Sequence, residues 1–258
     1  MTTRLTFKKI ITGASFALAL VLVQGCATAP ATSTEAVRQI DPLEPFNRAV
    51  FKFNDGLDQA VIKPVAVAYT EVTPTMVRKG VTNFFGNIND IWSLVNNLLQ
   101  AKGVAATDTL FRVSVNTFWG IGGLFDVASE MQIPKHSADF GMTLGYYGMA
   151  SGPYLVLPLL GPSTIRDAFG RAVDSQGDVA GNLNDVALRN SLTGVRVVNL
   201  RSRFLDAGDA LEQAALDKYS FTRDIYLQRR KSLIGREQPV VEERFDLPAP
   251  ATTSPAAQ

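Results

Sequence analysis

Apolar residues recur every three to four positions along most of this chain, and the faces they define predict helices. Phe46, Val50, Phe53, Leu57 and Val61 form one such face, with Arg48, Lys52, Asp55 and Gln59 largely elsewhere. Pro45 suits the first turn of that helix, and Pro64 is expected to end or kink it. A second helix is expected from Pro74 to about Phe85, with Gly86 interrupting it. Ile88, Ile91, Trp92, Val95, Leu98 and Leu99 then mark a further apolar stripe. Opposite lie Asn89, Asp90, Ser93, Asn96, Asn97 and Gln100, an amide and hydroxyl face with one charge. A water-facing helix ordinarily carries Lys and Glu there. Two readings stay open: a buried helix with satisfied amides, or an apolar stripe facing lipid or other helices while the amides face a wet interior. A third helix fits Gly103 to Trp119, with Leu110, Phe111, Val115 and Phe118 on one side. It stops at Gly120-Ile121-Gly122-Gly123, a flexible or tightly turning loop followed by Asp126. Residues 175–204 read as loop plus short helix. Leu211, Ala215, Tyr219, Thr222, Tyr226 and Leu233 predict one long helix from about Asp209 to Ile234.

The periodicity fails between Phe140 and Ile165, a run of 26 residues without a charged side chain. Its length invites a membrane span, which needs about 20 apolar residues. Glycines 141, 145, 148, 152 and 161 and prolines 153, 158 and 162 argue against one continuous helix. Irregular backbone of this kind belongs in a buried, loop-rich core, or at membrane depth where protein or a water-filled cavity satisfies it. Tyr154–Leu157 is the best candidate for extended structure. Pro162-Ser163-Thr164-Ile165-Arg166-Asp167 looks like a helix start with its proline near the first turn. The fold class is therefore mostly α, with a long irregular Gly/Pro-containing central segment.

Composition adds an address. Arg4, Lys8 and Lys9 precede the apolar run 10–23, and Gly25-Cys26 follows, which is the layout of a secretory signal (residues 1–25). Cys26, directly after the small residue and alone of its kind in the chain, resembles the acylated cysteine of a bacterial lipobox. Ala27 after it implies sorting to the outer membrane. Residues 26–40 read as a tether, 41–235 as the folded body, and the proline-containing 236–258 as a disordered tail. Loss of residues 1–25 takes the formal net charge from +1 to −2, which gives no reason to expect nucleic-acid binding.

Catalytic chemistry is sparse. His136 is the only histidine, and no nucleophile elbow, metal-spaced His/Cys cluster or phosphate loop accompanies it. Asp126, Asp139, Arg166 and Asp167 could form an acid–base set, but ion pairs holding helix ends are the preferred reading. Arg229, Arg230 and Lys231 read as a solvated helix C-terminus, favoured by the helix dipole, in preference to a lipid-headgroup or partner site. No cofactor is expected.

Four stretches in order, DPLEPFNRAVFKFN (41–54), VNTFWGIGGLFDVA (115–128), DFGMTLGYYG (139–148) and GPYLVLPLLGPSTIRDAFG (152–170), resemble the MlaA (VacJ) family of outer-membrane lipoproteins. The resemblance implies a non-enzymatic, ring-like bundle of amphipathic helices in the inner leaflet of the outer membrane, anchored through Cys26. An amphipathic channel would take mislocalised phospholipids from the outer leaflet towards a periplasmic carrier, MlaC, with trimeric porins holding the ring. It places Asp126, Asp139, Phe140, Gly141, Tyr146, Gly152 and Tyr154 near the channel or its supporting shell. Gly120, Gly122 and Gly123 would give a loop beside it mobility, and Asn83, Phe84 and Phe85 would adjoin a gating helix. The alternatives are a lipoprotein scaffold that binds porins without moving lipid, which predicts charged outer faces and no wet cavity, and a lipid hydrolase, which predicts a nucleophile.

Overall fold

A computed structural model describes residues 41–235. The expected signal peptide, Cys26, tether and tail lie outside the described residues. The body is mostly α, built from α1 (Glu44–Leu57), α2 (Lys63–Val72), α3 (Thr75–Leu99), α4 (Gly103–Phe118), α5 (Val127–Glu130) and α6 (Phe140–Tyr146), then a two-stranded hairpin, then α7 (Ile165–Gly177), α8 (Val186–Ser202), α9 (Leu205–Ala214) and α10 (Lys218–Gly235). No helix among the described residues is long and apolar enough to cross a membrane.

Pro64 does not end the first helix. A π-helical turn, Asp58–Ile62, ends two residues before it. Proline offers no amide to the carbonyl four residues back, and a wider turn absorbs the missing donor, so the chain runs on into α2. Gly86 does not interrupt the next helix either, and α3 is continuous over 25 residues. An isolated glycine costs a helix only about 1 kcal/mol relative to alanine. A Cβ at Gly86 would stand 3.4 Å from Lys135 Nζ, so the missing side chain leaves room for that ammonium to reach Asp90 one turn on.

The burial of α3 is inverted. Asn87, Asp90, Ser93, Asn96 and Asn97 are buried, while Ile91, Val95, Leu98 and Leu99 are exposed. The amide nitrogens find partners in the protein, whereas Asn87 Oδ1 and Gln100 Oε1 are buried without one. Asn87 Nδ2 donates to Thr117 Oγ1 (3.0 Å), Asn97 Nδ2 to the His136 carbonyl (3.0 Å), and Gln100 Nε2 to Thr143 Oγ1 (2.8 Å), which in turn donates to Asn96 Oδ1 (2.8 Å). Neither open reading holds whole: the amide stripe is buried as the first supposed, and the apolar stripe faces outward as the second supposed. Asn89 is exposed, and it lines a cavity that α3 forms with α7, α8 and α10. α4 repeats the inversion, with Ala105, Ala106, Thr109, Arg112 and Asn116 inside and Leu110, Phe111 and Phe118 outside. Val115 is buried and so leaves the side predicted for it.

The uncharged segment resolves into α6, a loop and the antiparallel pair β1 (Tyr154–Leu157) and β2 (Gly161–Thr164), in the register Tyr154↔Thr164 to Leu157↔Gly161. Pro162 therefore lies in an edge strand, where its missing amide is tolerated, and Thr164 caps α7 through the amide of Asp167 (3.2 Å). Two asparagines two turns apart on α1 grip β1. Asn47 donates to the Tyr154 carbonyl and accepts from the Val156 amide, and Asn54 does the same with Leu157 and Leu159. Their side-chain amides stand in for a neighbouring strand. Tyr154, Val156 and Tyr219 form an apolar cluster beneath. Asp41 closes the arrangement, accepting from Asn47 Nδ2 (2.8 Å), Tyr219 OH and Arg223 Nη1 (3.4 Å).

Two predictions at the C-terminal end are corrected. Residues 186–202 form a full helix, started by Asp185 accepting from the amide of Leu188 (2.9 Å). The long terminal helix is two, because Asp217 breaks it by capping the amide of Tyr219 (3.1 Å).

Candidate functional site

A cavity of about 980 Å³ lies between α3, α7, α8 and α10 and the 135–139 segment. Trp92, Met142 and Leu233 give it apolar surface, and the exposed Leu160 and Leu200 also line it. Its charged lining is mainly cationic: Lys102, Lys135, Arg171, Arg196, Arg229 and Arg230, against Asp139, Asp174 and Asp178. Most of these cations are held. Lys135 meets Asp90 (3.2 Å), Arg196 meets Asp178 (2.8 Å), and Arg171 donates to the carbonyls of Leu160 and Pro162. Arg229 is exposed, with no ion pair among the described residues.

Arg230 corrects the reading of a solvated helix end. It is largely buried and bridges Asp139 and Asp167, the latter at 2.9 Å. Burial alone would raise the Asp167 carboxyl, but hydrogen bonds and charge from Arg230, with help from Tyr226 and Arg166, hold it below the usual carboxylate range. Asp139 and Asp167 each serve a helix: Asp139 caps α6 through the Met142 amide (2.7 Å), while Asp167 lies in the first turn of α7. Asp174 accepts from Trp92 Nε1 (2.6 Å) and the Phe140 amide (2.9 Å), and burial pushes its carboxyl up. Trp92 packs so closely on α7 that a Cβ at Gly177 would lie 2.1 Å from its ring.

The structure separates the candidate residues into groups. Asp139 lines the cavity, and Phe140 is tied to the cavity residue Asp174. Gly141 is a contact point between α6 and α7, since a Cβ at Gly170 would reach its amide nitrogen at 2.5 Å. The Tyr146 ring lies under Lys102 Nζ at 4.8 Å. Gly152 turns with φ +67°, and Tyr154 is fully buried in the cluster under the hairpin. Gly120, Gly122, Gly123 and Asp126 form another group that does not line the cavity. Gly122 and Gly123 donate to Thr117 O (2.9 Å) and Asn116 O (2.8 Å), and the amide of Phe125 returns to Gly120 O (2.9 Å), so the loop is a closed, hydrogen-bonded turn. It abuts α3: Asn83 Nδ2 donates to Leu124 O (3.2 Å), and a Cβ at Gly123 would sit 2.7 Å from that of Asn87. Asp126 pairs with Arg112, 2% exposed, whose Nη1 also donates to Ile133 O (2.6 Å). Burial works against the Asp126 charge, but hydrogen bonds from Ser129 and Asn116 and the nearby Arg112 hold its carboxyl below the usual range. Phe84 and Phe85 stack edge to face, and Arg196 lies over Phe85 at 5.9 Å.

The acidic residues near the central segment thus hold helix ends. Among the described residues no His, Cys, Asp and Glu group is arranged to hold a metal ion. Sequence reasoning missed Trp92, Asp174, Arg171 and Arg196 as cavity residues. Arg196 lies in the stretch that reads as loop plus short helix, and Trp92 belongs to an apolar stripe.

A model of the MlaA lipoprotein family matches residues 39–233. The "Intermembrane phospholipid transport system lipoprotein MlaA" of Escherichia coli (strain K12) is 36% identical over 220 residues, covering 83% of this chain and 85% of that protein. The Haemophilus influenzae protein of the same name is 32% identical over 251 residues, covering 93% and 96%. A solved structure described as "Structural basis for maintenance of bacterial outer membrane lipid asymmetry" superposes with a TM-score of 0.67 at 33% identity, covering 75% of this chain and 98% of that one.

Proposed function

The chain belongs to the MlaA lipoprotein family, and from that premise we propose that it is the outer-membrane lipoprotein of a phospholipid transport system. It removes mislocalised phospholipids from the outer leaflet and so maintains lipid asymmetry. The observation that carries this reading is the inverted burial of α3 and α4, apolar outside and amide-lined inside, beside a large cationic cavity. An apolar exterior fits hydrocarbon surroundings. A headgroup phosphate cannot cross hydrocarbon without partners, since burying a charge unpaired costs many kcal/mol. The cavity offers such partners, with Arg229 in no ion pair among the described residues and Arg171 spending its donors on carbonyls. Its apolar lining, Trp92, Leu160 and Leu200, suits the upper acyl chains.

The body lies as a ring in the inner leaflet, anchored through acylated Cys26, held by trimeric porins and unloaded by MlaC. The chain acts as a conduit rather than an enzyme, and lipid moves through it down its gradient. The porin-binding scaffold predicted charged outer faces and no cavity, and the exposed Leu110, Phe111 and Phe118 speak against it.

The test is outer-leaflet phospholipid in cells lacking the protein, read by surface phospholipase access and lipid-A palmitoylation. Loss of the protein should raise it, wild type should restore it, and Arg229→Glu should restore it only partly. No rise in cells lacking the protein would sink the transport reading.

A further inference from the structure

A second, smaller pocket of about 220 Å³ sits where α3 begins and α8 ends. Arg78, Lys79 and Arg203 meet in its wall, beside Thr75, Thr82 and Asn199. No carboxylate forms an ion pair with any of the three cations among the described residues. Arg78 Nη2 donates to Thr75 Oγ1 (3.2 Å), but its Nε is buried without a hydrogen-bond partner. The floor is fixed: the buried Asn199 donates to Tyr69 OH (3.2 Å) and Arg78 O (3.3 Å) and accepts from Thr82 Oγ1 (3.0 Å). Pro74, at the N-cap of α3, brings no side-chain acceptor, so the first amides and the positive end of the dipole add to the field.

Three cations gathered without an acid repel one another, and an anion relieves that repulsion. The surroundings say where the anion comes from. Val72 and Met76, 82% and 78% exposed, lie within three residues of the lining residue Thr75, and the exposed Phe204 follows the lining residue Arg203 in the chain. Apolar side chains beside clustered Lys and Arg match a membrane interface, with the first in the acyl region and the second at the phosphates.

We propose that this pocket binds the phosphate of an anionic membrane lipid, apart from the central cavity, and so pins the α2–α3 corner at headgroup level. Arg78 supplies the directional donors of its guanidinium, and Lys79 and Arg203 supply charge. The inference rests on the membrane seating proposed above, but its site is not the transport cavity.

The experiment uses the full-length protein in neutral detergent with a phosphatidylglycerol carrying a photoreactive headgroup. The labelled peptides are mapped by mass spectrometry. Beside label in the central cavity, which includes Leu200, label should fall on Thr75–Asn83 and on Ser202–Phe204, resolved residue by residue. Lys79→Ala and Arg203→Ala should each weaken labelling of these two stretches about fivefold, Arg203→Lys should keep most of it, and Arg229→Ala, on the central cavity, should leave it unchanged. Lys79 and Arg203 are exposed, so an unchanged melting temperature separates lost binding from lost fold. Equal labelling in the double Lys79→Ala/Arg203→Ala variant would overturn the proposal. So would displacement by inorganic phosphate as readily as by unlabelled phosphatidylglycerol, which would make it a free-anion site. Failure of the transport reading would appear separately, as unchanged outer-leaflet phospholipid in cells lacking the protein.

Discussion

Replacing Leu110 by aspartate tests what the outer face of α4 touches. Leu110 sits in the middle of its helix and is half exposed, on the side shared by Phe111 and Phe118. If that side met water, Leu110→Asp would lose about half of a buried leucine's ~1.5–3 kcal/mol and ~0.5 kcal/mol of helix propensity. Both losses fall on folding, and none on membrane association. If the side meets hydrocarbon, the carboxylate must enter it, at about 2.5–3.5 kcal/mol near the bilayer centre. That is about a 70- to 370-fold drop in partitioning, and less at shallower depth. The assay is flotation of the chain from residue 27, without its acyl anchor, on vesicles of defined lipid. Gln228→Asp, at an exposed position of α10, makes the same charge change and serves as control. Melting temperatures in detergent confirm that both variants fold. The reasoning fails if Leu110→Asp and Gln228→Asp float equally well.

Other substitutions probe the interior. Arg230→Ala strands Asp139 and the buried Asp167, and should cost about 3–5 kcal/mol in denaturant unfolding. Because Asp167 titrates below its ordinary range, its stabilisation is present above about pH 4 and is lost as pH falls through the lowered value. In Arg230→Ala the acid-induced loss should begin at higher pH, and an unmoved profile would break the link. Gly123→Ala faces φ +90° and the Asn87 side chain at 2.7 Å, whereas Gly122→Ala faces φ +67° and open space. Thermal melts should show the first losing more than the second, which should cost only about 1–2 kcal/mol. Gly122→Pro is a poor probe of loop mobility: its φ is forbidden to proline and its amide bonds Thr117, so it breaks the turn rather than stiffening it. Gly177→Ala would drive a methyl into the Trp92 ring, which lines the cavity, and should lower both the melting temperature and lipid transport.

Legibility in the sequence followed the reach of each interaction. The start of α4, at Gly103, depends on local signals and was readable, as was the extended Tyr154–Leu157. The inverted face of α3 was visible as an odd stripe, but which side faced inward depended on Thr117, His136 and Thr143, 20 or more residues away. The break at Asp217 looked helical because Ala215 and Tyr219 kept the period, and only the capping geometry showed the stop. Gly86 misled in the opposite direction, since its cost was offset by the room it gives Lys135. Arg230 read as a surface charge because its partners, Asp139 and Asp167, lie more than 60 residues back. Within the candidate site, the acids at helix ends were legible from their positions. The cavity's cations were not, because they converge from segments that share no pattern.

The grip of Asp41 on Tyr219 and Arg223 joins the first described residue to the last helix. A polypeptide threaded outward from its N-terminus exposes Asp41 and Asn47 long before Tyr219 emerges. Until then those two side chains lack their final partners, and β1, which Asn47 must grip, has yet to follow. The body therefore closes only after the last helix has been made. A ribosome that stops anywhere before residue 219 leaves a protein without its clasp, with Asp41 held by Asn47 alone and the Tyr154 cluster uncovered. Quality-control proteases would meet such a product as an open chain.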